Sequence, residues 1–361
     1  MRRSEPRRQP LTLRRRLAVM GASAVTTFGV ALAVVSLWGV WAYVSPGPAA
    51  RHGPTTSVVL RHGASLPEIA SDLENRGAVR SGSVFIAAAQ ITGAARRLKA
   101  GEYAFPSRST LAEVVDMIRD GRIVRHFVTI PEGLTSAQAA AILTANPVLT
   151  GQVATPPEGS LLPETYEVER GTDRTQVLHR MMAARDRLLA ELWPDRRPGL
   201  PFRTPEEAVT LASIVEKETR LANERPRVAA VFVNRLEKGI ALASDPTIVY
   251  GLTGGPPLGH GIRQSELAAP TAYNTYHFTG LPPSPICNPG RASIAAVLDP
   301  AHTDDLYFVA NGTGGHSFAA TLEQHEKNVE RWRGIEHQRT LAPAEPAPAH
   351  SALRGEMSNG R

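Results

Sequence analysis

At 361 residues, 42% of them hydrophobic, the chain is too long for a binding peptide and long enough for a membrane anchor plus one or two folded domains. Its formal charge of +6 would fit a nucleic-acid binder, but Arg2, Arg3, Arg7, Arg8, Arg14, Arg15 and Arg16 against Glu5 carry all of it. Residues 17 to 361 are therefore neutral, and a neutral folded part has no footprint for a phosphate backbone, so no nucleic-acid partner is expected.

After this basic tail (1–16), residues 17–44 run without a charge as LAVMGASAVTTFGVALAVVSLWGVWAYV. Spanning a bilayer core takes about 20 apolar residues, so a single N-terminal transmembrane helix is expected. The arginines place its start in the cytoplasm, and Trp38, Trp41 and Tyr43 suit the far interface. A cleaved signal peptide and a buried core helix compete with this reading. The run is longer than the roughly 7 to 15 residues of a signal core, and seven arginines are many for its leading segment. With an uncleaved anchor, everything past residue 45 lies outside the cytoplasm.

Residues 45–56, SPGPAARHGPTT, read as a linker. The region 57–130 reads as a small α/β subdomain. SVVL is a strand, LPEIASDLENRG a helix ending at Gly77, SVFIAAAQITG a second helix, and GEYAF a strand; Ser109 caps a third helix ending at Gly121, and IVRHFVTI alternates like a strand. A strand followed by GASLPEIA resembles the LysM-like modules that bind aminosugar polymers.

The larger region, 131–334, interleaves helices and strands without a βαβ period, so the fold class expected is α+β. Strands are expected at LPETYEV and LYFVANG. Helices are expected at TQVLHRMMAARDRLLAELW, TPEEAVTLASIVEKETRLANE, PRVAAVFVNRLEKG and AATLEQHEKNVERWR. Residues 335–361, rich in Ala and Pro, read as a disordered tail. The single cysteine, Cys287, lies in ICNPG with no His partner nearby in sequence, so packing rather than nucleophilic chemistry is its expected role.

The helix from Thr204 has a well-defined register, with Thr204 as cap, Pro205 at the first helical position and Glu207 completing a capping box. At about 100° per residue, Ala208, Leu211, Ala212 and Val215 form an apolar stripe, and Glu218 falls within roughly 60° of its centre. Glu216 falls toward the stripe's edge and Lys217 on the opposite face. A carboxyl at the end of an apolar stripe is partly desolvated and keeps its proton near neutral pH, which a general acid for glycosidic cleavage requires. The alternative is a solvated charge run, with Glu218 ion-paired to an arginine such as Arg225.

SDPTIVYG, TAYNTYHFTGLPPSPICNPG and NGTGGHSF add Asn, Thr, Tyr and His on Gly- and Pro-rich segments, which suit loops lining a sugar cleft. The chain has no HExxH, no pair of histidines at helical spacing, no GxSxG and no complete dinucleotide loop. Neither a metal site nor a cofactor is expected.

Together, LPETY (162–166), ASIVEKET (212–219), ERPRVAAVFVNRL (224–236), SDPTIVYG (244–251), TAYNTYHFTGLPPSPICNPG (271–290) and LYFVANGTGGHSF (306–318) resemble the endolytic murein transglycosylases, the YceG-like family. The resemblance implies a membrane helix, a LysM-like subdomain and a catalytic domain with Glu218 as the acid. It also implies cleavage of the β-1,4 bond between N-acetylmuramic acid and N-acetylglucosamine within peptidoglycan strands, leaving 1,6-anhydro ends. Glu164, Tyr166, Glu216, Asp245, Thr247, Tyr250, Tyr273, Asn274, Thr275, Tyr276, Asn288 and His316 are the substrate-site residues expected with it. Asp245, Glu164 and Glu216 are the candidates for an assisting second carboxylate. The partners implied are glycan strands, the lipid bilayer and the peptidoglycan synthases of elongation or division. A hydrolytic muramidase and a non-catalytic peptidoglycan-binding scaffold are the alternatives. Ser284, where the family's turn more often has Gly, and Leu162, where Phe is commoner, are departures that bear on substrate preference rather than on the acid.

Overall fold

The computed structural model describes residues 13–341; most of the basic tail and the chain beyond 341 lie outside the described residues. It is a mixed helix and strand structure that divides into two compact units, Met1–His126 with Glu167–Gly171, and Phe127–Tyr166 with Thr172–Arg361.

In the first unit, α1 (Leu13–Val44) is a continuous helix, and its Ser23–Val44 portion is long and apolar enough to cross a membrane, with none of its most apolar stretch buried by protein. Strands β1 (Thr55–Leu60) and β2 (Gly101–Pro106) pair antiparallel, Thr55 opposite Pro106 and Leu60 opposite Gly101. Between them lie α2 (Leu66–Arg76) and α3 (Gly82–Ile91); α4 (Leu111–Asp120) follows β2. Ser65 and Glu68 form a reciprocal capping box on α2, and Gly77 ends the helix in the left-handed conformation that glycine adopts without a Cβ clash. Thr110, not Ser109, caps α4, in a second box with Glu113. Ser109 Oγ is instead engaged by the Pro106 carbonyl, to which it donates at 2.8 Å. Leu60, Leu73, Phe85, Val114 and Ile118 close a core around stacked Tyr103 and Phe105, whose centroids are 5.7 Å apart. Each such side chain removed from water contributes roughly 1.5–3 kcal/mol.

A two-stranded ribbon of β3 (His126–Thr129) and β4 (Thr165–Val168) precedes and follows α5 (Ser136–Ala145). Then come α6 (Arg174–Leu192), α7 (Pro205–Glu218), α8 (Arg225–Glu237), α9 (Asp245–Thr253), the single turn α10 (Gln264–Leu267) and α11 (Arg291–Leu298). The chain closes with the hairpin β5 (Tyr307–Ala310) and β6 (His316–Ala319), then α12 (Leu322–Leu341). Helices α7, α8 and α11 pack together through small and branched side chains, among them Ala208, Leu211, Ala212, Val215, Val228, Phe232, Ile294 and Val297. Helix α12 continues through Gly334 to Leu341, past the point where the composition turns toward a tail.

Three segments differ from their sequence expectation. SDPTIVYG forms α9 rather than a loop, since Ser244 and Pro246 are helix-start residues. NGTGGHSF is half hairpin turn and half β6. Finally, the helix expected through Glu224 stops at Glu218, because Thr219 turns to an extended conformation and its hydroxyl accepts the Leu221 N–H at 3.1 Å. This local bond is an alternative to the helical one.

Candidate active site

Glu218 is the last residue of α7, one turn beyond the fully buried Val215. Its Oε1 accepts a hydrogen bond of 2.5 Å from Ser244 Oγ, and Oε2 takes none from the described residues. Burial by the surrounding protein pushes its pKa up to about 7; the Ser244 bond pulls down, the charge of Asp245 pushes up, and His316 and Arg235 pull down more weakly. Part of the residue still reaches solvent, so a substrate can approach a carboxyl that holds a proton near neutrality.

Ser244 is held by a lock of hydroxyls. Its N–H donates to Thr275 Oγ1 at 3.0 Å, its carbonyl accepts from Thr247 Oγ1 at 2.6 Å, and the two threonine hydroxyls are 2.9 Å apart. Just before it, Ala243 has a φ of 51°, a conformation disfavoured by about 1–2 kcal/mol for a residue with a Cβ. The Ala243 N–H donates to the Thr275 carbonyl at 3.0 Å, which holds the backbone in that shape. Thr247 and Thr275 are fully buried, so they position Ser244 rather than touch substrate.

Asp245, exposed at the first turn of α9, accepts from Tyr276 Oη at 2.7 Å. Asn274, fully buried, shapes the turn that presents Tyr276: its amide donates to the carbonyls of Leu267 and Ala269, both at 2.9 Å, and its oxygen accepts the Tyr276 N–H. His316 is gripped twice by Glu224, which accepts its N–H at 2.8 Å and pairs with Nδ1 at 2.7 Å. Burial alone would raise the Glu224 pKa, but these bonds hold it below the carboxylate range. Gly315 makes the grip possible, since a Cβ there would collide with Glu224 Oε1. Arg235 spends its guanidinium on the carbonyls of Leu306, Ala241 and Leu242, and burial lowers its pKa.

Glu216, two residues earlier, faces elsewhere. Its Oε2 accepts the Gly290 N–H at 2.9 Å, its Oε1 lies 3.7 Å from Arg225, and only 6% of its side chain is exposed. Arg225 thus serves Glu216 and also Glu132, each at 3.7 Å, and not Glu218. A further network holds Tyr250, Tyr273 and Asn288. The two tyrosine rings meet edge to face at 4.8 Å, Tyr250 Oη donates to Glu158 Oε2 at 3.4 Å, and Tyr273 Oη lies 2.7 Å from Ser284 Oγ. Asn288 is fully enclosed between Leu134, Ser136, Glu158 and Leu161.

The expected residues therefore sort by geometry. Glu218, Asp245, Tyr276 and His316 belong to one constellation, with Thr247, Asn274 and Thr275 behind it. Glu216 and Asn288 are internal braces. Tyr166 is buried, donating to the Leu162 carbonyl at 2.6 Å, and Glu164 is exposed, so these two have no bond to the Glu218 group. Ser244, Glu224, Arg235 and Glu158 escaped the sequence reading. The Ser-Asp-Pro of a helix start was the one local signal for Ser244.

The α+β scaffold thus places a carboxyl of raised pKa beside an exposed carboxylate and a tyrosine, an arrangement able to hold and release a proton near neutrality. The profile of the YceG-like family matches residues 58–331, and the chain belongs to that family. The endolytic murein transglycosylase of Bacillus subtilis (strain 168) is 26% identical over 310 residues, covering 77% of this chain and 85% of the relative. That of Streptococcus pneumoniae serotype 2 (strain D39 / NCTC 7466) is 28% identical over 322 residues, 76% of this chain and 57% of the longer relative. A crystal structure of a YceG-like protein from Listeria monocytogenes aligns at a TM-score of 0.47 and 28% identity, covering 76% of this chain and 98% of that one.

Proposed function

We propose that the chain is a membrane-anchored endolytic lytic transglycosylase of peptidoglycan with Glu218 as its acid and base. The observation that carries this reading is the Glu218 carboxyl, raised to about 7 and fixed by Ser244 at the end of α7. The names of the curated relatives support the substrate and reaction class.

In the proposed reaction, protonated Glu218 gives its proton to the oxygen linking N-acetylmuramic acid to N-acetylglucosamine as the C1–O bond breaks. The departing sugar leaves with a free 4-hydroxyl. The Glu218 carboxylate then takes the proton of the muramic C6 hydroxyl, whose oxygen closes onto C1. A 1,6-anhydro end forms, the acid is regenerated and no water is consumed. A hydrolase needs a second carboxylate to activate water or attack C1, with the pair about 5 to 5.5 Å apart for retention. An intramolecular nucleophile removes that need. Asp245 is the one of the three second-carboxylate candidates whose charge acts on Glu218, and its bond to Tyr276 fits a substrate-positioning role.

The apolar α1 supports anchoring in the inner membrane, with the arginines cytoplasmic and the chain beyond residue 45 periplasmic. On this reading the first unit is a LysM-like module that guides glycan strands, and synthases of elongation or division are the protein partners. Digesting sacculi with the full chain in detergent and weighing the muropeptides tests the function. Anhydro ends are expected; reducing ends would make it a muramidase, and no release would leave a scaffold.

A further inference from the structure

We propose that the first unit has a second contact with the bilayer, through α3 and the basic segment after it, beside the anchor helix. This rests on the reading that α1 crosses a membrane. A groove of about 720 Å³ separates the two helices, with Val35, Trp38 and Val40 on the α1 side and Val84, Ala87 and Ile91 on the α3 side. Ile91 is 86% exposed, an unusual position for a large apolar side chain.

The depth of the groove follows from helix geometry. The uncharged run Leu17–Val44 has 28 residues. At 1.5 Å per residue it is about 42 Å long, roughly 12 Å more than a 30 Å hydrocarbon core. With the arginines at one face, that excess falls at the other end of α1, where Trp38, Trp41 and Tyr43 lie. The groove follows α1 from Val35 to Tyr43, also about 12 Å, so it sits at the level of headgroups and upper acyl chains. A face walled on one side by the anchor itself is continuous with the lipid surface.

Charge points the same way. No Asp or Glu occurs between Glu74 and Glu102, whereas Arg76, Arg80, Arg96, Arg97 and Lys99 do. Arg96, Arg97 and Lys99 are exposed directly after α3. An apolar helix face followed by exposed cations matches acyl chains beneath anionic headgroups, to which each such cation is attracted.

Cys287 is fully buried, so Ile91→Cys supplies the reactive thiol for a polarity-sensitive fluorophore in the full chain, reconstituted in phosphatidylglycerol-containing vesicles. Emission at position 91 is expected to shift to the blue, to be quenched by doxyl lipids as it is at Leu32→Cys within the span, and to resist aqueous iodide. Quenching by iodide at 91 with doxyl quenching at 32 overturns the contact and leaves the anchor standing; iodide quenching at both overturns both. Resistance at 91 to both quenchers means protein covers the face, as from a second copy, and also overturns it. Combining Arg96→Glu with Arg97→Glu is expected to lower doxyl quenching at 91 several-fold in anionic vesicles and little in phosphatidylcholine alone. Equal loss in both lipids overturns the headgroup contribution.

Discussion

Two carboxylates close α7 within three residues of each other, and their surroundings give them opposite work. On the Glu216 side, a guanidinium and a backbone N–H meet a nearly enclosed carboxylate, which joins α7 to Arg225 on α8 and to Gly290 before α11. On the Glu218 side there is one hydroxyl, a neighbouring negative charge and a partly open approach. Burial acts on both, so burial alone does not separate them. The placement of the cation does. Arg225 lies 3.7 Å from Glu216, whereas Arg235, whose charge reaches Glu218, is occupied by three carbonyl oxygens and lowers its pKa less than His316 does.

The sharpest way to break this contrast is to remove each carboxyl in turn. Glu218→Gln should lower release of muropeptides from sacculi by about 100- to 10,000-fold, the range for losing a general acid, with circular dichroism unchanged. Full activity in this variant, with loss in Glu216→Gln, would reverse the assignment.

The brace is tested by Arg225→Met, which leaves Glu216 and Glu132 facing one another. Urea denaturation should show a loss of about 2 kcal/mol, below the range for breaking a fully buried pair because both contacts are 3.7 Å long. Activity per folded molecule should be largely kept.

Stability against pH sharpens the other side. The Glu218 carboxyl ionises near 4.5 when unfolded and near 7 when folded, so between these values the native state binds more protons. Its contribution is complete below about 4.5, is lost as pH rises to about 7, and is level above. Relative to wild type, Glu218→Gln should therefore gain roughly 1–3 kcal/mol of stability between pH 4 and pH 8, read as melting temperature across buffers.

The smallest effect is expected from Ser244→Ala. Its bond lowers the Glu218 pKa, so its loss should move the alkaline limb of the pH–activity profile, expected near 7 in wild type, upward by less than about one unit. A downward move would mean that Ser244 stabilises the protonated acid instead.

Much of the first unit is visible in one dimension because its caps are local. Ser65 with Glu68, and glycines 77 and 121, mark helix ends without reference to the rest of the chain. The inward direction of Glu218 was equally visible, since periodicity fixes a helical face. What periodicity could not show is which carboxylate Arg225 would choose, because that depends on how α8 packs on α7. It also could not separate substrate residues from their supports. Thr247, Asn274, Thr275 and Asn288 look like sugar ligands in a list of polar residues, yet each is fully buried and bonded to protein. Ser244 is not marked out in the sequence because its partner lies 26 residues away on α7; the hydroxyl makes no cap bond to α9 and goes to Glu218.

The threonine lock behind Ser244 links proton affinity to loop geometry. Thr275 belongs to the same turn as Tyr276, and it receives the Ser244 N–H whose neighbouring hydroxyl holds Glu218. On the proposed function, a glycan that moves this turn would alter the affinity of Glu218 for its proton. Thermodynamic reciprocity then requires the reverse: protonating Glu218 must change how tightly the turn receives a glycan, by the same factor. On that reading, the acid and the turn that receives the glycan are two sites on one titration curve.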